Sequence, residues 1–290
     1  MFRLLTLTAL VPLTFALPLA AEDGQPVGPQ PSVTLRRVVS KPVITIPDQN
    51  HPLGPLLRRA AHAYEAMQLG VRDYTCTIAK RERVDGRLRA MEFVQAKIRH
   101  EQKKNGQLVA PFGVYLRFLQ PRKVEGREVL FVRGRNQGKM LVKRGGQRLA
   151  SLTTSLDPRG NLAMREARYP VTEIGIKRLV AKLIDVLQEE IQYPECEVKY
   201  YRNAKINGRS CTRVRVIHPL RRSHFRYHMA EVFIDDERQI PLRFVSYDWP
   251  QAAGGKPRLL EEYTYFNLKT NVGLRDTDFE RRNPDYGFKK

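Results

Sequence analysis

Apolar residues recur every three or four positions in two parts of the chain, residues 53–69 and residues 176–191. Because side chains three and four residues apart share one face of a helix, this spacing predicts two amphipathic helices. Pro55 favours the start of the first helix, and Gly70 favours its end. For the second helix, Thr172 is the expected N-cap.

Ten other segments alternate apolar with polar residues between turn residues, a pattern typical of half-buried strands. Five precede the second helix and five follow it: 74–84, 87–100, 114–118, 128–132, 139–143, 196–206, 209–218, 225–235, 239–249 and 258–269. Since most links have hairpin length, neighbouring strands are expected to pair antiparallel. The predicted fold is therefore α+β, with one large curved antiparallel sheet that forms an incomplete β-barrel. The two main helices are expected to pack across its open side.

A bent sheet with helices across its open side can leave an apolar cleft between the two layers, and such a cleft suits acyl chains. The candidate lining residues are apolar side chains on one strand face and on the second helix: Val114, Leu116, Phe118, Leu183 and Leu187. A fully packed core without a cavity is the alternative. Tyr247 and Trp249 end a predicted strand and are candidates for the cleft rim, although their sheet propensity alone accounts for that position.

The N-terminal residues predict export. Residues 1–21 have the layout of a signal peptide, with Arg3, an apolar stretch and small residues at the expected cleavage point. An uncleaved anchor is the alternative. Residues 22–52, rich in Pro, Gln and Gly, are expected to be a flexible tether before a single half-barrel domain at 53–290. No later segment is apolar for long enough to span a bilayer, so we expect an exported protein of the bacterial periplasm or cell envelope.

The chain is strongly basic, with 51 Lys and Arg against 30 Asp and Glu and a formal net charge of +21. Such an excess attracts anions, which include phospholipid head groups, envelope polymers and nucleic acid. Export argues against nucleic acid, and the basic residues are scattered along strands instead of concentrated on one helix. An anionic envelope surface is therefore the expected partner, and a solvated basic surface with no dedicated partner is the alternative.

Three cysteines, Cys76, Cys196 and Cys211, are compatible with one disulfide in an oxidising compartment. If residues 207–208 form a two-residue turn, Cys211 lies opposite Ala204 and not opposite Cys196. A pair with Cys76 from another strand and three buried thiols both remain open.

The sequence contains no recognisable active site. His218, His224 and His228 cluster, with the last two on one face of a predicted strand, but further donors for a metal site are missing. The serines lack a nucleophile-elbow context, and residues 144–147 indicate a hairpin instead of a phosphate loop. The sequence therefore predicts no catalytic residue, metal or cofactor.

Longer segments resemble a family of exported bacterial proteins with the domain of unknown function 1571. They include DYTCTIAKRERVDG, GREVLFVRGRNQGKMLV, LLEEYTYFNLKTNVGL and the ending NPDYGF, and the resemblance covers nearly all of residues 53–290. The layout is similar to that of the LolA/LolB-like outer-membrane lipoprotein carriers, in which an incomplete barrel closed by helices holds acyl chains. This resemblance implies a non-catalytic envelope protein that binds lipid or lipoprotein acyl chains. The alternatives are a basic protein that binds anionic polymer or membrane without an internal ligand and, third, an envelope enzyme.

Overall fold

A computed structural model describes residues 50–146, 152–252 and 254–288. The expected signal peptide at 1–21 and residues 22–49 of the expected tether lie outside the described residues. Within the described part of the chain, no helix is both long and apolar enough to cross a membrane.

The described residues contain three α-helices and fourteen strands. The helices are α1 (Gly54–Gly70), α2 (Asn161–Met164) and α3 (Ile176–Glu190). The first seven strands are β1 (Asp73–Val84), β2 (Arg87–Leu88), β3 (Glu92–Arg99), β4 (Gln102–Lys104), β5 (Gln107–Ala110), β6 (Gly113–Gln120) and β7 (Glu128–Val132). The other seven are β8 (Met140–Lys143), β9 (Thr153–Leu156), β10 (Glu197–Ile206), β11 (Arg209–Ile217), β12 (Met229–Asp235), β13 (Pro241–Asp248) and β14 (Arg258–Thr270).

Twelve of the described strands form one antiparallel sheet in the order β10-β11-β12-β13-β14-β1-β3-β6-β7-β8-β9, with β2 paired to β1. Strands β10 and β9 are its two edges, so the sheet is not closed into a barrel. A separate hairpin consists of β4 and β5. The predicted α+β fold, a large curved sheet with two main helices, is confirmed.

Strands β1 and β14, the first and last strands in the chain, join the N-terminal strands of the large sheet to its C-terminal strands. Strand β1 pairs with β3 on one side and with β14 on the other. Ile78 of β1 lies opposite Val94 of β3 and opposite Tyr265 of β14. All three side chains are buried in the main core, so this contact between distant parts of the sequence makes one continuous sheet from two sets of hairpins.

Helices α1 and α3 contact each other and bury apolar faces against the sheet. On α3 the buried apolar residues include Ile176, Val180, Ile184 and Leu187, which follow the helical spacing seen in the sequence. They share one hydrophobic cluster with sheet residues such as Val214. Burial of this stripe holds the helices across the sheet.

Two predicted details are wrong. Thr172 lies in a 3-10 turn, Val171–Glu173, and does not cap α3. The helix starts after Gly175, where the hydroxyl of Tyr74 in β1 accepts the backbone N–H of Ile176 at 3.0 Å. A tertiary contact therefore replaces the local cap.

The strand predicted at 225–235 starts only at Met229. The preceding residues form a turn in which Phe225 N–H bonds to the Arg222 carbonyl. His224 and His228 consequently do not share a strand face.

The structure also contains short strands that the alternation did not predict. β4 and β5 flank Asn105 and Gly106, which both have positive φ, as a tight hairpin turn requires. β9 pairs with β8 and forms one edge of the sheet.

The three cysteines are unpaired, with Cys76 and Cys211 buried and Cys196 half-buried. Cys211 lies opposite Ala204 in the β10–β11 pair, as the turn at residues 207–208 predicted. Burial raises the pKa of the Cys76 thiol to about 12.

Candidate functional site

A cavity of about 660 Å³ lies between the inner face of the sheet and α3. Its third boundary is the segment 157–175, which runs from the end of β9 to the start of α3 and is called the strap below. Ligand cavities in proteins commonly measure about 300–1,000 Å³, so this space is large enough for a small amphiphile.

Apolar side chains from both halves of the sheet and from α3 form most of the cavity wall. They are Ile78, Leu116, Phe118, Val129, Met140, Val142, Phe244 and Tyr265 on the sheet, with Leu179, Leu183 and Val186 on the helix. Because β1 and β14 are neighbours, strands from the beginning and the end of the domain contribute to one wall.

The predicted lining residues separate into two groups. Leu116, Phe118 and Leu183 line the cavity. Leu187 instead lines a second space of about 50 Å³ between α1, α3 and the C-terminal strands, and Leu183 borders both spaces. Val114 shares the inward face of β6, but it is opposite Ile98 and fully buried in packed core.

Neither cavity is lined by the predicted rim residues Tyr247 and Trp249. Tyr247 pairs with Met229 across β12 and β13. Trp249 follows β13 and is buried, and its ring lies 5.8 Å from the guanidinium of Arg221. The structure thus groups part of the candidate set around the large cavity and places the rim candidates elsewhere.

Part of the cavity wall is polar, a feature that the sequence analysis missed. Lys80 of β1 lies between two carboxylates, with its Nζ atom 3.3 Å from Glu82 and 3.1 Å from Glu92. The hydroxyl of Tyr263 donates to Glu82 at 2.6 Å. Burial alone would raise the pKa of Glu82, but the charge of Lys80 and the hydrogen bond from Tyr263 outweigh it and lower this pKa.

Glu261 of β14 forms the second half of this polar wall. Its carboxylate accepts hydrogen bonds from Tyr169 at 3.0 Å and from Ser246 at 3.2 Å, and it lies 3.5 Å from the guanidinium of Arg168. Burial raises the pKa of Glu261, and the charge of Arg168 offsets this only in part. Because Arg168 and Tyr169 belong to the strap, these contacts fasten the strap to the sheet.

The signal for this polar wall is present in the sequence of β1. Cys76, Ile78, Lys80 and Glu82 alternate with outward-facing residues, so two charged side chains occupy the inward, apolar positions. A charged side chain at an inward-facing position among apolar residues costs free energy unless it has a partner. Its presence therefore indicates a compensating partner or a functional site.

The three clustered histidines are held by aromatic packing. His218 stacks on Phe225 with ring centroids 3.9 Å apart, and His224 stacks on Tyr193 at 3.6 Å. Among the described residues, no group of three potential metal ligands comes together.

Among solved structures, the chain is similar to a putative outer membrane lipoprotein-sorting protein domain from Vibrio parahaemolyticus, with 15% identity and a TM-score of 0.35 over 78% of this chain and 96% of that chain. It is also similar to a LolA superfamily protein from Nitrosomonas europaea, with 10% identity and a TM-score of 0.31 over 77% and 97% of the two chains. A third is the Mycobacterium tuberculosis lipoprotein LppX, with 13% identity and a TM-score of 0.38 over 76% and 98%. At these identities the likeness concerns the fold alone.

No curated protein matches the chain significantly. One family model does match, described as a protein of unknown function (DUF1571), and it covers residues 71–288. This match confirms the family resemblance predicted from the sequence. It includes the whole sheet, α3 and the strap, and therefore all elements that form the large cavity. The chain belongs to the DUF1571 family.

Proposed function

We propose that this protein is a non-catalytic component of the bacterial cell envelope that holds acyl chains of a lipid or lipoprotein in the large cavity. The observation that supports this proposal is the apolar wall that the sheet and α3 form around about 660 Å³ of space. An empty or water-filled apolar space of that size is unfavourable, whereas hydrocarbon fills it without losing hydrogen bonds.

The expected energy is sufficient for stable binding. Moving one methylene group out of water gains about 0.8 kcal/mol. An acyl chain with about ten buried methylene groups therefore gains roughly 8 kcal/mol before the cost of ordering the chain and the protein is subtracted. An apolar ligand of this class could bind with useful affinity without any specific polar contact.

The polar wall is compatible with an apolar ligand because its charges already have partners within the protein. Lys80 lies within ion-pair distance of Glu82 and Glu92, Tyr263 donates a hydrogen bond to Glu82, and Arg168 lies against Glu261. A buried carboxylate without a partner would favour a cationic or hydrogen-bonding ligand. Here the wall makes no such demand, and the chemistry of the ligand is set by the apolar side chains.

The proposal is tested with a fluorescent fatty-acid probe and a matched pair of substitutions. Val142 lines the cavity, whereas Val272 is an exposed valine that lines neither cavity. We expect Val142→Trp to fill part of the cavity and weaken probe binding at least tenfold. Val272→Trp should leave probe binding unchanged, because it adds the same side chain at the surface.

Native mass spectrometry of the protein purified from its own envelope fraction detects any lipid that co-purifies with it. A lipid-sized mass that is present in the wild type and lost in Val142→Trp supports the proposal. The absence of both probe binding and a co-purifying lipid, or equal binding by both tryptophan variants, would overturn it.

A further inference from the structure

Two leucines lie where the large cavity meets solvent. Leu162, in α2 of the strap, lines the cavity and is 65% exposed. Leu152, next to the edge strand β9, also lines the cavity and is 45% exposed. A side chain that both borders a cavity and contacts solvent lies at its opening, which is called the mouth below. Exposed leucines at a mouth create a local apolar surface that favours an apolar partner.

The charges around this mouth are unbalanced. Each acidic residue of the cavity lining is within ion-pair distance of a basic side chain: Glu82 and Glu92 with Lys80, Glu166 with Arg127, Glu173 with Arg159 and Lys182, and Glu261 with Arg168. In contrast, Arg144, Arg165 and Arg178 also line the cavity, and none of them has an ion pair or a side-chain hydrogen bond within the described residues. The charges left for a partner at the mouth are therefore positive.

The positions of these arginines suit contact with an extended surface. Arg144 and Arg165 are exposed, and Arg178 is half-buried on α3. Arg165 follows Leu162 by three residues, so an exposed apolar side chain and an exposed cation lie within about one helical turn of each other. Leucine for the acyl boundary and arginine for phosphate is the combination that interfacial protein segments use on anionic membranes.

We propose that the mouth docks on a bilayer that contains anionic phospholipids. Leu162 and Leu152 enter the boundary between head groups and acyl chains, and Arg144, Arg165 and Arg178 contact lipid phosphates. Charge complementarity favours this partner over a neutral membrane, since the whole chain carries a net charge of +21. The biological role of this docking rests on the proposed function, because docking would bring the cavity opening to the acyl chains of the bilayer.

The test is co-sedimentation of the purified protein with vesicles of phosphatidylcholine alone and of phosphatidylcholine mixed with phosphatidylglycerol. We expect binding to the mixed vesicles, little binding to the neutral ones, and a steep loss of binding between 50 mM and 500 mM salt, roughly the range over which screening shortens from above 10 Å to below 5 Å. Equal binding to both vesicle types, or no binding to either, would overturn the proposal.

Matched substitutions locate the docking surface. Arg165→Glu should weaken vesicle binding about fivefold or more, the factor expected for a basic residue near an anionic surface. Its control is Arg58→Glu, which changes the net charge equally at an exposed position of α1 outside both cavities. Equal effects of the two reversals would mean that total charge, and not the mouth, drives binding.

The apolar contribution is tested in the same way. Leu162→Asp should weaken binding about tenfold because an inserted leucine is replaced by a carboxylate. Leu69→Asp is the control, since Leu69 is 89% exposed at the end of α1 and lines neither cavity. If the two leucine variants bind vesicles equally well, the mouth is not the docking surface.

Failure of docking and failure of acyl binding are distinguishable. The wild-type protein is assayed with the soluble fatty-acid probe in the absence of vesicles and with vesicles in the absence of the probe, and Val142→Trp should still sediment with anionic vesicles. Probe binding without vesicle binding would overturn the docking alone. Vesicle binding without probe binding would overturn the acyl-chain proposal and leave the docking surface supported.

Discussion

The Nε2 atom of His218 lies 3.5 Å from the Oε2 atom of Glu190, and both side chains are shielded from solvent, with 0% and 1% exposure. The other ring nitrogen of His218, Nδ1, lies 3.0 Å from the carbonyl oxygen of Tyr227, which can only accept a hydrogen bond. Nδ1 therefore carries the proton, and in the neutral ring the lone pair of Nε2 faces the carboxyl group of Glu190. Burial of the two groups favours their neutral forms, a protonated Glu190 beside a neutral His218.

The two groups make opposite contributions to the pH dependence of stability. Burial raises the pKa of Glu190 from 4.5 to about 7, although the hydrogen bond from Tyr227 acts against the shift. Burial lowers the pKa of His218 from 6.5 to about 4. Between pH 4.5 and 7, Glu190 therefore binds more protons in the folded state than in the unfolded state, and stability falls as pH rises through that window. Between pH 4 and 6.5, His218 binds more protons in the unfolded state than in the folded state, and its contribution to stability rises with pH there.

We therefore expect Glu190→Gln to stabilise the protein progressively, relative to the wild type, as pH rises from 4.5 to 8. Glutamine keeps an acceptor for the Tyr227 hydroxyl, which donates to Glu190 at 2.8 Å, but removes the buried titration. The gain at pH 8 should be on the order of 2–3 kcal/mol. Urea unfolding of both proteins at pH 5 and pH 8 measures it.

The control for this prediction is Glu189→Gln. Glu189 is exposed and pairs with exposed Arg226, so its loss should change stability by less than about 1 kcal/mol at either pH. Parallel pH profiles for the wild type and Glu190→Gln would contradict the prediction.

Gly175 provides a second prediction because its surroundings exclude a side chain. Its φ is +109°, and a Cβ atom added there would lie 2.5 Å from the hydroxyl oxygen of Tyr74. That hydroxyl is buried and accepts the first backbone N–H of α3, so it cannot move away without loss of the hydrogen bond. We expect Gly175→Ala to lower the free energy of unfolding by about 2–4 kcal/mol.

Gly86→Ala is the control at a positive-φ glycine that has open space around it. Gly86 also has positive φ, +74°, but nothing lies within 4 Å of an added Cβ. Its substitution should cost only about 1 kcal/mol, the price of the backbone conformation alone. Losses of equal size in the two alanine variants, measured by urea unfolding, would show that Tyr74 does not restrict position 175.

The parts of the fold that local rules determine were predictable. The two-residue turn at 207–208 gave the register of β10 and β11, because hairpin geometry relates each residue to its partner directly. The helical spacing of apolar residues likewise predicted α3. The start of α3 was not predictable in this way, since the cap comes from Tyr74, which is 102 residues away in the chain.

The candidate site shows the same division. Leu116, Phe118 and Leu183 could be identified as inward-facing residues from periodicity, and they do line the cavity. Periodicity gives the face of a strand but not the position along it, so Val114 on the same face is packed core. The strap has no sustained period, and its place over the sheet depends on long-range contacts such as that of Arg168 with Glu261.

The attachment of the strap yields the third prediction. Arg168 of the strap forms an ion pair with the sheet. Its guanidinium lies 3.5 Å from Glu261, whose side chain is 7% exposed. Arg168→Met would leave that carboxylate buried without its cation. We expect a loss of about 2–3 kcal/mol in urea unfolding and faster hydrogen exchange of the strap amides.

Two further variants test whether the buried charge is the cause. Glu261→Gln in the Arg168→Met background should recover part of the lost stability, because it removes the carboxylate that has no cation. Arg159→Met breaks an exposed pair of the same strap, that of Arg159 with Glu173, and should cost less than about 1 kcal/mol. If Arg168→Met and Arg159→Met have equal effects on stability and exchange, burial of the Arg168–Glu261 pair does not fasten the strap. If they differ as expected, the buried contact between Arg168 and Glu261 in the cavity wall holds the strap to the sheet.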